Sequence, residues 1–160
     1  MRTIGLTGSI GMGKSATAEV FRSLGVPVHD SDRAVHEIYE GSAASLVAAA
    51  FPKAVGENGI DRRKLGDLVL HNPVEMKRLE ALVHPLVSAH RKTFLEKARA
   101  DGARIAVCDV PLLFETGLDR EMDAVVVVSA PFQVQKARVL ARPGMTEERF
   151  NAILQKQWPD

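Results

Sequence analysis

Short apolar runs and segments of helical spacing alternate at both ends of this chain. The apolar runs lie at residues 2–7, 26–29, 104–109 and 123–129, and helical spacing follows the first and the last of them at 16–24 and 132–141. Strands that alternate with helices are typical of a parallel sheet covered by helices, because a parallel connection needs a long crossover. The pattern therefore predicts an α/β fold.

The clearest predicted strand contains consecutive valines from Val125 to Val128. A strand without polar alternation is typical of a parallel sheet with helices on both faces. We therefore expect these valines to be buried on both faces of the sheet.

The middle of the chain, residues 33–102, has helical spacing and predicts no strand. Asp61 and Asn72 are suited to cap the helices that follow them, and so is Ser42. Pro85 has no N–H, so we expect the helix to break or kink at His84-Pro85. About 70 residues of helix are too long for a simple crossover between strands. The sequence therefore predicts an inserted helical subdomain.

Residues 8–15 read G-x-x-x-x-G-K-S and lie between a predicted strand and a predicted helix. In that context the motif indicates a phosphate site, since glycines let backbone N–H groups turn inward and the helix N-terminus adds partial positive charge. Lys14 can reach the β- and γ-phosphates, and Ser15 can hold a magnesium ion. A glycine-rich turn with a chance lysine is the alternative, and the strand–turn–helix context disfavours it.

Two aspartates follow predicted strands. Asp32 comes after the second strand and Asp109 ends the third, as in a Walker-B pattern. Ligands of open parallel sheets bind outside the carboxyl ends of the strands, so Asp32 is a candidate base and Asp109 a candidate group near the magnesium. Each aspartate has a structural alternative, as an N-cap for Asp32 and as the cap of a turn for Asp109.

Other candidate site residues follow the third and fourth strands. The apolar segment 110–115 favours a ligand wall or core packing equally. Arg138 and Arg142 precede a Pro143-Gly144 break, and Thr146 is suited to cap a last helix over 147–157. Arginines on such a segment indicate a lid, with a solvated helix face as the alternative. For Lys136 the solvated face is favoured.

The composition adds few constraints. Lys and Arg total 21 against 20 Asp and Glu, which gives a formal charge of +1. That balance gives no reason to expect nucleic acid or a membrane as a partner. The single cysteine, Cys108, lies in an apolar run and fits a buried, inert thiol in a reducing compartment. We expect a cytoplasmic monomer.

The chain resembles the dephospho-CoA kinases, which have a P-loop nucleoside-monophosphate-kinase-like fold. Besides residues 4–15, the resemblance rests on Asp30-Ser31-Asp32, residues 65–69, residues 79–85 and residues 109–115. The phosphate-loop motif alone indicates only a nucleotide site. The His84-Pro85 segment and the Pro111-to-Glu115 segment are more specific to the family.

The resemblance implies transfer of the γ-phosphate of ATP, with Mg²⁺, to the ribose 3′-hydroxyl of dephospho-CoA. It implies that Asp32 is the general base and that Arg138 and Arg142 are lid arginines. It also implies that Ser15 and Asp109 are the protein groups beside the magnesium ion. The nucleotide-binding residues are then Gly11, Met12, Gly13, Lys14, Ser15 and Ala16, and Lys14 is also catalytic. More loosely, the acceptor pocket includes Tyr39, His84, Pro85, Leu112 and Phe114.

The implied architecture is a three-layer P-loop NTPase fold with a parallel sheet in the order 2-3-1-4. We expect one kinase domain, with a core at 1–32 and 103–135, an acceptor-binding helical insertion at 33–102 and a partial lid at 136–160. Ala16 stands where the family commonly has threonine. The family also continues past Asp160 with a fifth strand and a closing helix. With the fifth strand absent, we expect the valine-rich strand to form an exposed edge.

Two other functions compete with this hypothesis. A different small-molecule kinase on the same fold is distinguished by its acceptor. A nucleotide-binding module without catalysis binds ATP and shows no turnover. A switch GTPase is disfavoured because no N-K-x-D segment follows the fourth strand.

Overall fold

The computed structural model describes residues 1–41, 43–57, 59–70, 72–155 and 157. The chain divides into two compact units. The sheet unit comprises Met1–Asp30 and Leu95–Asp160, and the helical unit comprises Ser31–Phe94. The predicted boundaries of the insertion were 33 and 102. The cap predicted at Ser42 lies outside the described residues.

Helices and strands alternate in the order that an inserted α/β fold requires. In chain order they are β1 Arg2–Thr7, α1 Lys14–Ser23, β2 Val28–Asp30, α2 Ser31–Glu40, α3 Ala44–Ala50, β3 Val55–Gly56, β4 Gly59–Ile60, α4 Arg62–Val69, α5 Pro73–Ala100, β5 Ile105–Asp109, β6 Ala124–Val127, α6 Phe132–Leu140 and α7 Glu147–Leu154. Short 3₁₀ turns lie at Pro52–Ala54 and Leu118–Glu121. No helix in the described part of the chain is both long and apolar enough to cross a membrane.

The sheet unit is built on a four-stranded parallel sheet in the order β2-β5-β1-β6. Counted along the chain without the small β3–β4 pair, this order is 2-3-1-4, so the predicted topology is confirmed. Every connection in this sheet is a crossover, as parallel strands require.

Two apolar clusters cover opposite faces of this sheet. Leu6 and Val107 pack with Ala18 of α1 on one face. Cys108 and Leu113 pack with Leu95 of α5 on the other face. Adjacent β5 residues belong to different clusters because successive side chains of a strand point to opposite faces. The result is the predicted three-layer arrangement, and Cys108 is fully buried as expected.

The valines of β6 are more exposed than predicted. Val125 and Val126 are only partly buried, and Val127 is 46% exposed. The expectation of burial on both faces was therefore wrong. The physical reason is that, within the described residues, β6 pairs with β1 on one side only and is an edge strand of the sheet. The exposed, valine-rich edge that was also expected is therefore confirmed.

The helical unit has its own apolar core. Its buried residues come from every helix of the unit and are Ile38, Ala43, Val47, Phe51, Ala54, Leu65, Val69, Leu79 and Val83. Two predicted N-caps are confirmed. The Asp61 carboxylate accepts from the N–H of Arg63 and Lys64 at 3.0 and 3.1 Å, and Asn72 Oδ1 accepts from the N–H of Val74 at 3.1 Å.

Two expectations for this unit were wrong. The segment contains a strand pair, since β3 and β4 form a small antiparallel hairpin around the predicted turn. The predicted break at His84-Pro85 does not occur either, because α5 runs through Pro85, and the alternative of a kink there stays a prediction. Proline removes one hydrogen bond, and burial of Leu79 and Val83 on the preceding turns opposes that local penalty.

A matched pair of leucines tests the helical core. Leu65 is 4% exposed, whereas Leu70, just after the same helix, is 62% exposed. Leu65→Ala should lower the free energy of unfolding by about 2–5 kcal/mol, since it leaves a cavity. Leu70→Ala should change it by about 0.5 kcal/mol or less. Urea unfolding followed by circular dichroism gives both values, and equal losses would contradict the assigned core.

Candidate functional site

The carboxyl ends of the strands meet at one edge of the sheet unit. Leu6 and Asp30 both lie in register with Asp109. The phosphate loop therefore begins at the edge where β5 presents its terminal aspartate. Asp109 is only 5% exposed, so its carboxylate lies in a largely enclosed position.

Glycines shape the phosphate loop. Gly11 and Gly13 have φ values of +80° and +104°, in the left-handed region that favours glycine. A Cβ at Gly8 would lie 2.4 Å from the carbonyl oxygen of Val128, and one at Gly11 would lie 2.5 Å from Val139 Cγ2. Side chains at these positions would displace the loop, which explains the glycine that the motif requires at position 8 and the further glycine at position 11.

Among the described residues, the first N–H groups of α1 have no hydrogen-bond acceptor. The first backbone bond within this helix runs from the Thr17 N–H to the Gly13 carbonyl at 3.1 Å. Within the described residues no side chain caps the helix, and its first turn contains no acid. The N–H groups of residues 13–16 thus form an anion-binding position at the positive end of the helix.

Lys14 and Asp109 form a largely buried ion pair at this position. Lys14 Nζ donates to Asp109 Oδ1, and the side chains are 16% and 6% exposed. The sequence placed Asp109 beside Ser15, and the structure shows that its carboxylate contacts Lys14. Ser15 and Ala16 are exposed on the first turn of α1.

Helix α6 packs directly on the phosphate loop. Gln135 Nε2 donates to the Ile10 carbonyl at 2.9 Å, and the Ala130 N–H contacts Met12 Sδ at 3.1 Å. Arg138 Nη1 donates to the Gly11 carbonyl at 3.4 Å. The sequence identified Arg138 as a lid residue but gave no sign of Gln135. The sequence could not identify Gln135, because its burial depends on a contact with Ile10, which is distant along the chain.

The predicted lid segment is organised by α6 and α7. Phe132 and Phe150 stack with their ring centroids 6.1 Å apart, and Lys136 forms a 2.8 Å salt bridge with Glu147. Lys136 is therefore tied to α7 and is not simply solvated. Thr146 caps α7 as predicted, although the helix ends at Leu154. Arg142 is exposed, just after α6.

Asp32 lies in the helical unit, in the first turn of α2. The N-cap interpretation was wrong, because α2 already begins at Ser31. A carboxylate in the first turn is favourable for the helix dipole, and it remains exposed. Tyr39 of the same helix is partly buried. Burial raises the pKa of Tyr39 above its ordinary value of 10.0, and the charge of Arg62 opposes that rise.

The looser acceptor residues fall in different environments. In the helical unit, His84 and Pro85 are exposed near the middle of α5. In the sheet unit, Leu112 is 40% exposed and Phe114 is partly buried, whereas Leu113 is completely buried. Segment 110–115 was expected to form either a ligand wall or part of the core. Leu113 lies in the core, whereas Leu112 is accessible to a ligand.

Comparisons with known proteins agree with this geometry. A family model described as dephospho-CoA kinase matches residues 2–160. The dephospho-CoA kinase of Mesorhizobium japonicum is 59% identical over the whole chain, which spans 81% of that relative. The corresponding protein of Agrobacterium fabrum is 53% identical, and the chain spans 82% of it.

Solved structures show the same fold. The crystal structure of TT1252 from Thermus thermophilus superposes with a TM-score of 0.85 and 37% identity, covering 99% of this chain and 81% of that one. The dephospho-CoA kinase of Campylobacter jejuni, at 24% identity, has a TM-score of 0.66 over 97% of this chain and 79% of its own. The family match over nearly the whole sequence and the phosphate-loop geometry lead to one conclusion: the chain belongs to the dephospho-CoA kinase family.

Proposed function

We propose that the chain transfers the γ-phosphate of ATP to the ribose 3′-hydroxyl of dephospho-CoA, giving coenzyme A and ADP. An ATP-dependent kinase acting on dephospho-CoA, at the last step of coenzyme A biosynthesis, is what family membership supports. The choice of hydroxyl and the role of each residue are our proposal.

The observation that carries the proposal is the set of N–H groups at residues 13–16, which no internal helix bond or side-chain cap satisfies in the described chain. A triphosphate supplies the acceptor oxygens and the negative charge that this position lacks. Lys14 is held at the same place by Asp109. We propose that Lys14 exchanges this contact for the β- and γ-phosphates when ATP binds.

The residues present also suit Mg²⁺. Among the described residues there is no group of three or more His, Cys, Asp and Glu that could hold a metal. Magnesium at kinase sites is usually bound through one or two carboxylates or hydroxyls together with substrate phosphates. Ser15 and Asp109 fit that pattern as its protein partners. When bound, the ion neutralises charge that develops on the transferred phosphate.

The protein side of the reaction then consists of proton acceptance and charge neutralisation. We propose that Asp32 accepts the proton of the 3′-hydroxyl while that oxygen bonds to the γ-phosphorus. The bond from phosphorus to the bridging oxygen breaks, and ADP leaves with that oxygen. Arg138 and Arg142 neutralise charge on the equatorial oxygens. Arg138 is suited to this role because it already contacts the loop at Gly11.

We assign acceptor binding to Tyr39, His84, Pro85, Leu112 and Phe114. The exposed fraction of Leu112, 40%, supports an apolar contact for a ligand. Tyr39 has an ordinary pKa of 10.0, which burial raises further. Its hydroxyl is therefore protonated at neutral pH and can donate to an acceptor oxygen. We also propose that the protein acts in the cytoplasm as a monomer, with these two small molecules as its partners.

The first prediction concerns the acceptor. With ATP and magnesium, the chain should release ADP in the presence of dephospho-CoA and not with AMP, GMP, shikimate or gluconate. A coupled ADP assay measures this, and a Lys14→Met variant gives the background. Turnover with another acceptor would indicate a different kinase of the same fold. ATP binding without turnover on any acceptor would indicate a non-catalytic module.

The second prediction concerns Asp32. Asp32→Asn should lower kcat by about 10²–10⁴-fold, because the asparagine amide cannot take the proton. The dissociation constant for ATP should change by about twofold or less, because the phosphate loop belongs to the sheet unit and Asp32 to the helical unit. Asp67→Asn, an exposed acid on α4, is the control and should leave kcat unchanged. Near-normal turnover of Asp32→Asn would remove its role as base.

The third prediction concerns Arg142. Arg142→Ala should lower kcat by about 10³-fold or more, since an arginine that acts on the transferring phosphate contributes at that scale. ATP binding, measured by calorimetry, should be retained. Arg120→Ala, an exposed arginine in the Leu118–Glu121 turn, is the matched control. If both variants lose activity equally, or neither does, the lid assignment of Arg142 is wrong.

A further inference from the structure

Two glutamine side chains hold the same residue of the phosphate loop. Gln135 Nε2 of α6 donates to the Ile10 carbonyl at 2.9 Å, and Gln157 Oε1 accepts from the Ile10 N–H at 2.9 Å. One amide therefore acts as a donor and the other as an acceptor. The backbone of Ile10 requires one donor and one acceptor, because its carbonyl can only accept a hydrogen bond and its N–H can only donate one.

The first of these contacts is buried. Gln135 is 2% exposed, and Ile10 is itself partly buried. Loss of the Gln135 donor would leave the Ile10 carbonyl without that partner in an enclosed position, which is unfavourable. A long polar side chain is rarely buried to this extent without a specific partner. Apolar packing alone does not explain a glutamine at position 135.

Neighbouring contacts of α6 act on the next loop residue. Val139 is fully buried, and its Cγ2 would lie only 2.5 Å from a Cβ added at Gly11. Arg138 Nη1 reaches the Gly11 carbonyl at 3.4 Å. Helix α6 thus approaches Ile10 and Gly11 through Gln135, Arg138 and Val139, which lie three and four residues apart on one face of the helix. The N–H groups proposed to bind phosphate begin at Gly13, two residues after Gly11.

We propose that Gln135 and Gln157 are positioning residues that hold the phosphate loop in its ATP-binding shape. They act through Ile10 and do not touch the nucleotide. If the hydrogen bonds are lost, the loop populates other shapes, and the apparent affinity for nucleotide falls by the fraction that remains competent. The inference rests on the proposed function only in requiring that the loop binds ATP.

The two glutamines should respond oppositely to the same substitution. Glutamate keeps an acceptor oxygen but, when ionised, has no donor. Gln135→Glu should therefore weaken ADP and ATP binding by about tenfold or more, since it sets a carboxylate against a buried carbonyl. Gln157→Leu removes the acceptor oxygen and should weaken nucleotide binding. Gln157→Glu should bind nucleotide nearly as well as the unsubstituted chain, because its oxygen still accepts from the Ile10 N–H. Gln133→Glu, an exposed residue on α6, measures the effect of the added charge alone.

Isothermal titration calorimetry of ADP and ATP without acceptor gives the affinities for the full chain. Relative to Gln133→Glu, we expect tenfold weaker binding for Gln135→Glu and about twofold or less for Gln157→Glu. Gln135→Met, which removes the donor without adding charge, should also weaken binding by about tenfold. It serves in place of Gln135→Glu if that variant does not fold.

Two results would overturn the proposal. One is equal affinity for Gln135→Met and the original chain. The other is equal weakening by Gln135→Glu and Gln157→Glu, which would indicate charge or general destabilisation. Because no acceptor is present, this test is independent of whether dephospho-CoA is the substrate. In turnover assays, Gln135→Met should raise KM for ATP and leave KM for dephospho-CoA unchanged. A general loss of stability would not change one KM and spare the other.

Discussion

The arrangement of this protein depends on a helix end whose first N–H groups find no acceptor within the described part of the chain. The first backbone bond within α1 starts at Thr17, so the N–H groups of residues 13–16 await an external acceptor. Many helices solve this problem with a capping side chain, as Asp61 does for α4. At α1 a glycine with positive φ occupies the cap position instead. The structure thus keeps polar groups available for a phosphate at a cost in local stability.

Local chemistry explains which parts of the fold the sequence could predict. The phosphate loop, the caps at Asp61, Asn72 and Thr146, and the parallel sheet all follow from short motifs or from the alternation of strands and helices. Each depends on neighbouring residues or on topological rules that hold for most parallel sheets. The resemblance to a known family contributed the expected strand order and the roles of residues that no local motif identifies, such as Tyr39.

The errors arose where distant contacts decide the outcome. Pro85 predicted a helix break, but α5 passes through it, and the adjacent turns bury Leu79 and Val83. The valines of β6 predicted full burial, yet their exposure depends on which strands lie beside them. Gln135 gave no signal because its partner, the Ile10 carbonyl, is remote in the sequence. Hydrophobic spacing cannot report such contacts, since it describes only neighbours along one element.

The division into units gives the proposed roles separate physical bases. Lys14, Asp109 and Arg142 belong to the sheet unit, whereas Asp32 and Tyr39 belong to the helical unit. Each unit has its own buried core, so a substitution in one need not disturb the other. Binding of ATP can thus be examined apart from proton acceptance by Asp32. Within the sheet unit, ATP binding and charge neutralisation by Arg138 are not independent. Helix α6 contacts the phosphate loop at Ile10 and Gly11 and also carries Arg138. A change in the position of α6 must therefore alter both the loop and that arginine.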